Sequence, residues 1–233
     1  MISSHNLVYK SKLLGKILGY FVSMFQFRLL SFYGENDVAS LIKSIKNDID
    51  FAFFPYEAFV IHSIATSQSK ISGDMAEVGV YQGGSAKIIC EVKGNNKLHL
   101  FDTFEGLPKI SDKDTHFGIK YWTDKQFSNT DIESVRKYLK DYEDVSFYKG
   151  KFPDTSVPVT DSKFSFVHLD VDLYESTTEC LKFFYPRLVK GGIILTHDYH
   201  TNGVHSAFTE FFQGKNIPII PINGSQCMIV KTE

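Results

Sequence analysis

Five side chains in one stretch have the types needed to move protons or hold a divalent cation. Asp170 and Asp172 follow the apolar run of residues 164–169, and His197, Asp198 and His200 follow a second run, residues 192–196. Carboxylates are hard oxygen ligands of the kind Mg²⁺ takes, in ones and twos beside water and substrate oxygens. An imidazole softens the set, so His197 also suits Mn²⁺, Fe²⁺ or Zn²⁺. The candidate metal ligands are Asp170, His197 and Asp198. The alternative is a metal-free acidic crevice in which Asp170, His197 or His200 serves as general base. These three are the candidate catalytic residues.

A second constellation lies upstream. Residues 77–85 read Glu77, Val, Gly79, Val, Tyr81, Gln, Gly83, Gly, Ser85. Gly79 and Gly83 allow a tight turn and close backbone approach to a ligand. The free amides of the helix that follows suit a carboxylate or phosphate. The GxGxxG spacing of dinucleotide sites is not met. Glu77 disfavours a pyrophosphate and favours an ammonium or sulfonium. Asp102 stands 19 residues past Gly83, where a carboxylate can accept both ribose hydroxyls. Thr103 and Phe104 follow it, and Phe104 with the region of Lys149 and Gly150 can frame an adenine. Together these residues describe a site for a nucleoside carrying a cation, which S-adenosylmethionine fits.

The elements that must position these groups follow from periodicity. Between the two acid-bearing runs, residues 176–188 place Leu181, Phe184, Tyr185 and Leu188 at helical spacing. Strand, helix, strand is a βαβ unit, whose crossover makes its strands parallel. If those strands are neighbours, Asp170, His197 and Asp198 face one crevice at their carboxyl ends. Further strands are expected at residues 75–80, 98–101 and 145–148, and helices at 84–92, 132–142 and 204–213. Two last strands, 217–222 and 227–230, flank Asn223-Gly224, a hairpin signal that puts one antiparallel strand into the sheet. The expectation is an α/β protein with a mostly parallel sheet and helices on both faces. The long aromatic-rich loop of residues 102–130 reads as a lid, since structureless loops of that length are uncommon without function.

The chain has 233 residues and a formal net charge of −2, which gives no reason to expect nucleic acid. Cys90, Cys180 and Cys227 sit in apolar surroundings without metal-ligand or CxxC spacing. They read as buried thiols of a reducing, cytoplasmic setting. Residues 13–33 are strongly apolar, with Lys10, Lys12 and Lys16 before or near their start and Arg28 inside. No small-residue cleavage site marks a signal peptide, and the uncharged run before Arg28 is too short to span a bilayer. One reading is a helix packed on the body or on a second subunit in a dimer. The other is a basic amphipathic helix lying on a membrane. Asp37 is the expected N-cap of a helix with Val38, Leu41, Ile42 and Ile45 inward. Pro55 opens another with Phe59, Val60 and Ile64 inward. Residues 1–54 thus form an N-terminal helical extension, and residues 55–233 the sheet domain.

With these pieces in order, the chain resembles the macrocin O-methyltransferase family of S-adenosylmethionine-dependent enzymes. The resemblance rests on the Glu77–Gly84 run, Phe101-Asp-Thr-Phe-Glu-Gly-Leu-Pro108, Leu169-Asp-Val-Asp-Leu-Tyr-Glu-Ser-Thr177, Tyr185-Pro-Arg-Leu188, and Gly191-Gly with Asp198-Tyr199 after it. It implies a class I, Rossmann-like methyltransferase fold of seven strands with the last antiparallel. It implies methyl transfer to a hydroxyl of a sugar or glycosylated small molecule. It also implies Mg²⁺ on Asp170, His197 and Asp198, although His197 stands where the family has Asp. Two other functions fit the residues less closely. A nucleotide-cofactor oxidoreductase lacks its GxGxxG, and a non-catalytic protein that kept the cofactor pocket has only His197 to suggest it.

Overall fold

The computed structural model describes residues 12–116, 119–120, 122–123 and 125–233. Lys10 and the loop residues Phe117 and Tyr121 lie outside that set. The chain divides into two compact units, Met1–Val60 and Ile61–Glu233.

The first unit holds helices α1 (Lys12–Phe32) and α2 (Asn36–Asp48) and the start of α3 (Pro55–Gln68). α2 starts one residue before the expected cap, with Glu35 at the N-cap position and Asp37 in the first turn. Its buried face is Val38, Ala39, Ile42 and Ile45, while Leu41 is only half-buried. On α3 the inward residues are Ala58, Ile61 and Ala65, offset from the expected Phe59, Val60 and Ile64. Glu57 accepts the backbone N–H of Phe54 at 2.7 Å, which satisfies a free donor at the helix start. No described helix is long and apolar enough to cross a membrane.

The second unit is built on a seven-stranded sheet. Its strands are β1 (Asp74–Val78), β2 (Leu98–Asp102), β5 (Val145–Lys149), β6 (Phe164–Leu169), β7 (Leu188–Thr196), β8 (Ile220–Ile222) and β9 (Gln226–Val230). The order is β5-β2-β1-β6-β7-β9-β8, and only β9 runs against its neighbours. Helices α4 (Gly84–Val92), α5 (Ile132–Tyr138), α6 (Tyr174–Phe184) and α7 (Asn202–Phe212) make the crossovers and cover the sheet. One face buries Ala76, Val78, Val167, Leu169 and Ile194 against Cys180, Leu181, Phe184, Val204 and Phe208 of α6 and α7. The expected α/β architecture is therefore present, with the antiparallel strand where Asn223-Gly224 placed it. Asn223 and Gly224 both take positive φ, 48° and 73°, inside a three-residue loop between Ile222 and Gln226.

Several boundaries differ from expectation. The helix expected over residues 176–188 is α6, two residues earlier in start, and it stops at Phe184. Pro186 lacks the N–H a further helical turn needs, and Tyr185–Arg187 form a 3₁₀ turn instead. Leu188 then belongs to β7, which starts four residues before the expected Gly192. β8 is shorter than expected and starts at Ile220, three residues after the expected Ile217. The loop of residues 102–130 is not structureless. It carries a small antiparallel hairpin, β3 (Thr115–His116) with β4 (Ile119–Lys120). The three cysteines are free and buried. Burial pushes their thiols up, Cys90 to about 12, so none is a reactive thiolate.

Candidate functional site

The chemistry gathers at the carboxyl ends of four adjacent parallel strands. β6 and β7 are direct neighbours, with Leu169 opposite Thr196, so Asp170 and the His197-Asp198 pair emerge side by side. The backbone fixes the exit. The N–H of Asp170 donates to the Val78 carbonyl, and that of His197 to the Leu169 carbonyl, each at 2.9 Å. Gly79 allows this closeness. Its φ is +87°, and a Cβ there would sit 1.9 Å from the carbonyl oxygen of Asp170.

His197 lies between the two carboxylates. Its Nδ1 is 3.4 Å from Asp170 Oδ1 and 3.4 Å from Asp198 Oδ1. His200 Nδ1 is 3.9 Å from Asp198 Oδ1. Burial alone would lower the His197 pKa, but the charges of Asp198 and Asp170 override it and raise the value well above the usual imidazole range. For Asp198 burial acts upward, yet the His197 charge and hydrogen bonds from His197 and Asp172 hold it at about 2.

Sequence reasoning named Asp172 beside Asp170 but gave it no role, and the structure puts it inside the same cluster. It is buried at 7% exposure, with its acidity suppressed by burial and by the charges of Asp198 and Asp170. It thus keeps a proton that it shares with Asp198. Asp172 and Asp198 both adopt left-handed backbone, φ 61° and 55°, a conformation that Asp tolerates better than most residues. The i, i+2 spacing from Asp170 was the available signal, but β6 ends at Leu169, so strand alternation does not extend to Asp172.

The ligand atoms of Asp170, His197 and Asp198 lie within 4.8 Å of one another. That is close to the ~4 Å between opposed ligands on an ion with metal–oxygen bonds of about 2.1 Å. A mixed imidazole and carboxylate set of this size fits a divalent cation. It suits Mn²⁺ at least as well as Mg²⁺.

The other half of the site is organised by Asp102. Its Oδ2 accepts the N–H groups of Val80 and Tyr81 at 2.7 and 2.8 Å, and its Oδ1 accepts that of Phe104 at 2.6 Å. Burial pushes its pKa up against these bonds. Three of roughly four acceptor positions on the carboxylate are therefore taken by backbone. The Thr103 hydroxyl stands 3.5 Å from Oδ1, with its shorter bond to the Gly106 carbonyl. Tyr81 and Phe104 are held in left-handed backbone at φ 51° and 52°, and Phe104 is buried. Thr103 Oγ1 donates to the Gly106 carbonyl at 2.7 Å. Gly150 donates to the Asp102 carbonyl at 2.9 Å, so the Lys149-Gly150 corner does lie beside Asp102.

Glu77 is fully buried. Its Oε1 is 2.7 Å from His168 Nδ1, its register partner on β6. Burial raises its pKa, while the His168 imidazole and the Ser85 hydroxyl act the other way. His168, read from sequence as a packed residue, is thus the partner that fixes Glu77 beneath the turn of residues 79–83. Ser85 is buried in the first turn of α4, and Gly83 precedes that helix at φ +88°.

The long loop is anchored at several points. Asp114 accepts from Ser111 N at 2.7 Å and from Tyr174 N, at the start of α6, at 2.7 Å. Lys113 reaches Glu210 at 3.2 Å. At its far end Asn129 accepts the Tyr81 hydroxyl at 2.9 Å, and Thr130 donates to the Tyr81 carbonyl at 2.6 Å. The loop is therefore tied to both the α6–α7 side and the glycine-rich turn, rather than hanging free over the cleft.

Comparison with known proteins gives this arrangement relatives. A sequence model described as macrocin-O-methyltransferase (TylF) matches residues 60–228. The chain is 29% identical over 169 residues to 8-demethyl-8-(2,3-dimethoxy-alpha-L-rhamnosyl)-tetracenomycin-C 4'-O-methyltransferase of Streptomyces olivaceus, a match covering 66% of this chain and 64% of that protein. It is 27% identical over 154 residues to mycinamicin III 3''-O-methyltransferase of Micromonospora griseorubida, covering 60% of this chain and 61% of that one. The chain thus spans less than two thirds of the length of these relatives. Among solved structures, the O-methyltransferase NovP superposes with a TM-score of 0.65 at 21% identity, over 76% of this chain and 80% of that chain. That likeness carries the class I methyltransferase fold.

Proposed function

The chain belongs to the macrocin O-methyltransferase family, and we propose that it transfers a methyl group from S-adenosylmethionine to a hydroxyl of a sugar or glycosylated small molecule, assisted by a divalent cation. The observation that carries this reading is the convergence of Asp170, His197 and Asp198 at the ends of two adjacent strands. They sit across Gly79 from a glycine-rich turn pinned by Asp102. Family membership sets aside the nucleotide-cofactor oxidoreductase. The sugar acceptor is drawn from the activities that name the two relatives.

S-adenosylmethionine, when bound, supplies an electrophilic methyl on a sulfonium. The residues proposed to hold it are Gly79, Tyr81, Gly83 and Ser85 with Asp102, Thr103 and Phe104. Glu77 supplies negative charge beneath the turn. One acceptor position on Asp102 remains for a ribose hydroxyl. A divalent cation held by Asp170, His197 and Asp198 would lower the pKa of a coordinated hydroxyl as it does for water. The chain's own part is to align the acceptor and take its proton. His197 is a poor base in the metal-free chain, because the flanking carboxylates keep it protonated. It must lose that proton to serve as a ligand, so metal affinity should rise with pH. His200, at the edge of the cluster, remains the base candidate. Asp172 holds a proton against Asp198 and so orients it.

The test is methyl transfer to a panel of free sugars, nucleotide-linked sugars and glycosides, with EDTA and with added Mg²⁺ or Mn²⁺. The expected result is an O-methylated sugar whose formation EDTA suppresses and Mn²⁺ or Mg²⁺ restores. Activity untouched by EDTA removes the metal. S-adenosylhomocysteine binding without methylation of any sugar hydroxyl removes the acceptor class.

A further inference from the structure

The outward face of α1 is the reverse of an ordinary surface helix. Ile17, Leu18, Phe21, Phe25 and Phe32 fall on one side of it and stand 47–81% exposed, while Leu30 on the opposite side is buried. Tyr20 and Tyr33 flank them, 67% and 68% exposed. Scattered apolar residues on a surface need no explanation, but a contiguous stripe of large ones marks a contact.

Charge decides which contact. The first 34 residues contain Lys10, Lys12, Lys16 and Arg28 and no Asp or Glu, in a chain whose net charge is −2. Within the same unit a groove beside α1 is lined by Lys16, Arg28, Lys43 and Lys46 together with Tyr20 and Phe27, and by no carboxylate. Lys43 stands 5.1 Å over the Phe27 ring. A two-fold pairing with a second copy would set this face against itself. It would bring the two acid-free cationic segments together, with Arg28 inside the contact, at a Coulombic cost. An anionic lipid surface suits both features at once. Its acyl region takes the phenylalanines and its phosphates meet the cations. Tyrosines, apolar with one polar tip, suit the boundary between them.

We propose that α1 and the cationic groove beside it dock the protein flat on a bilayer surface rich in anionic phospholipid. Phe21, Phe25 and Phe32 enter the outer acyl region, and Lys16, Arg28 and Lys43 face headgroup phosphates. The helix lies on the bilayer without crossing it, in keeping with the absence of any described helix long and apolar enough to span. Of the two readings of this segment, the structure thus favours the membrane surface over a subunit contact.

The test is co-sedimentation of the full chain with vesicles of phosphatidylcholine alone or mixed with phosphatidylglycerol. Binding to the mixed vesicles should exceed binding to phosphatidylcholine at least tenfold at low salt, and high salt should weaken it. Phe21→Ser with Phe25→Ser should lower partitioning at least tenfold. Lys16→Glu with Arg28→Glu should abolish the preference for phosphatidylglycerol. Unchanged S-adenosylhomocysteine affinity and circular dichroism show that each variant is folded. Three results overturn the proposal: no sedimentation with either vesicle, equal binding to both, or a concentration-dependent dimer in sedimentation velocity that the double phenylalanine variant dissolves. The last assigns the face to a second copy.

Discussion

The two halves of the cleft are built on the same sheet edge by opposite means. At the ends of β1 and β2 a single carboxylate, Asp102, accepts three backbone N–H groups, and the turn it holds has little freedom left. At the ends of β6 and β7 three carboxylates and an imidazole face one another, and their charges depend on each other. The first half binds by shape and fixed dipoles. The second is an electrostatic cluster whose state changes with pH and with whatever cation or hydroxyl enters it. A methyl donor with a permanent charge needs no titrating partner, whereas an acceptor hydroxyl must lose a proton. On the proposed function, the division of labour would follow from the chemistry of the two ligands.

Gly79 brings the backbones of both halves together, so Gly79→Ala should do the most damage. The added Cβ would clash with the Asp170 carbonyl at 1.9 Å, in a backbone at φ +87°. Overpacking and left-handed strain together cost about 3 kcal/mol, or roughly 10 °C in melting temperature for a chain of this size. Turnover and S-adenosylhomocysteine binding should fall together. A variant that melts like the parent would show that the halves are not rigidly joined there.

Next in size are Asp170→Asn and Asp198→Asn, which touch only the electrostatic half. Turnover should drop by about 10²–10⁴, while S-adenosylhomocysteine affinity measured by calorimetry stays within a few-fold. Near-normal turnover in both variants would remove the cluster from the chemistry. A matching loss of cofactor affinity would mean the two halves cannot be separated.

How much of this could be read from the sequence also divides along the same line. Strand ends bearing Asp170 and Asp198, the tight turn at Gly79 and the acid at Asp102 all follow from apolar runs and their punctuation. The sheet and its one antiparallel strand followed from the rhythm of the runs. What escaped depends on register and backbone hand. His168 became the partner of Glu77 only because β1 and β6 align those two positions. Asp172 lies past the end of β6 at φ 61°, where strand periodicity no longer applies. That Asp102 accepts three backbone N–H groups required the turn's path, which glycine spacing suggests but does not specify. Leu188 fits a helical face and a strand start equally well, and Pro186 before it was the deciding residue.

Asp102→Asn probes the other half alone. An amide cannot accept at both ends, so at least one of the Val80, Tyr81 and Phe104 N–H groups would face an NH₂ group. Leaving a buried donor unsatisfied costs about 1–3 kcal/mol. Melting temperature should fall by a few degrees, and the Kd for S-adenosylhomocysteine should rise about tenfold. If affinity falls while melting is unchanged, Asp102 acts directly on the ligand rather than through the turn.

The smallest effect, and the sharpest on the electrostatic half, is expected from Asp172→Asn in the presence of a chelator. A carboxyl whose folded pKa is raised retains a proton that the unfolded chain releases near pH 4. The folded state then binds more protons than the unfolded one, so the contribution to stability falls as pH rises above that point. Asp198 has the opposite sign, with its value held at about 2. Its contribution is complete above about pH 4 and is lost as pH falls toward 2. His197 is raised, so its contribution is complete below its unfolded value of about 6.5 and fades as pH climbs through the folded one. Asparagine keeps a donor for Asp198 and removes only the first of these three slopes. The variant should match the parent near pH 4 and exceed it in stability at pH 7, with a higher melting temperature there. A variant less stable than the parent at pH 7, with the same slope between pH 4 and 7, would mean that Asp172 is ionised in the folded chain. The cluster would then carry one more negative charge than its geometry assigns it, and would favour a cation more strongly.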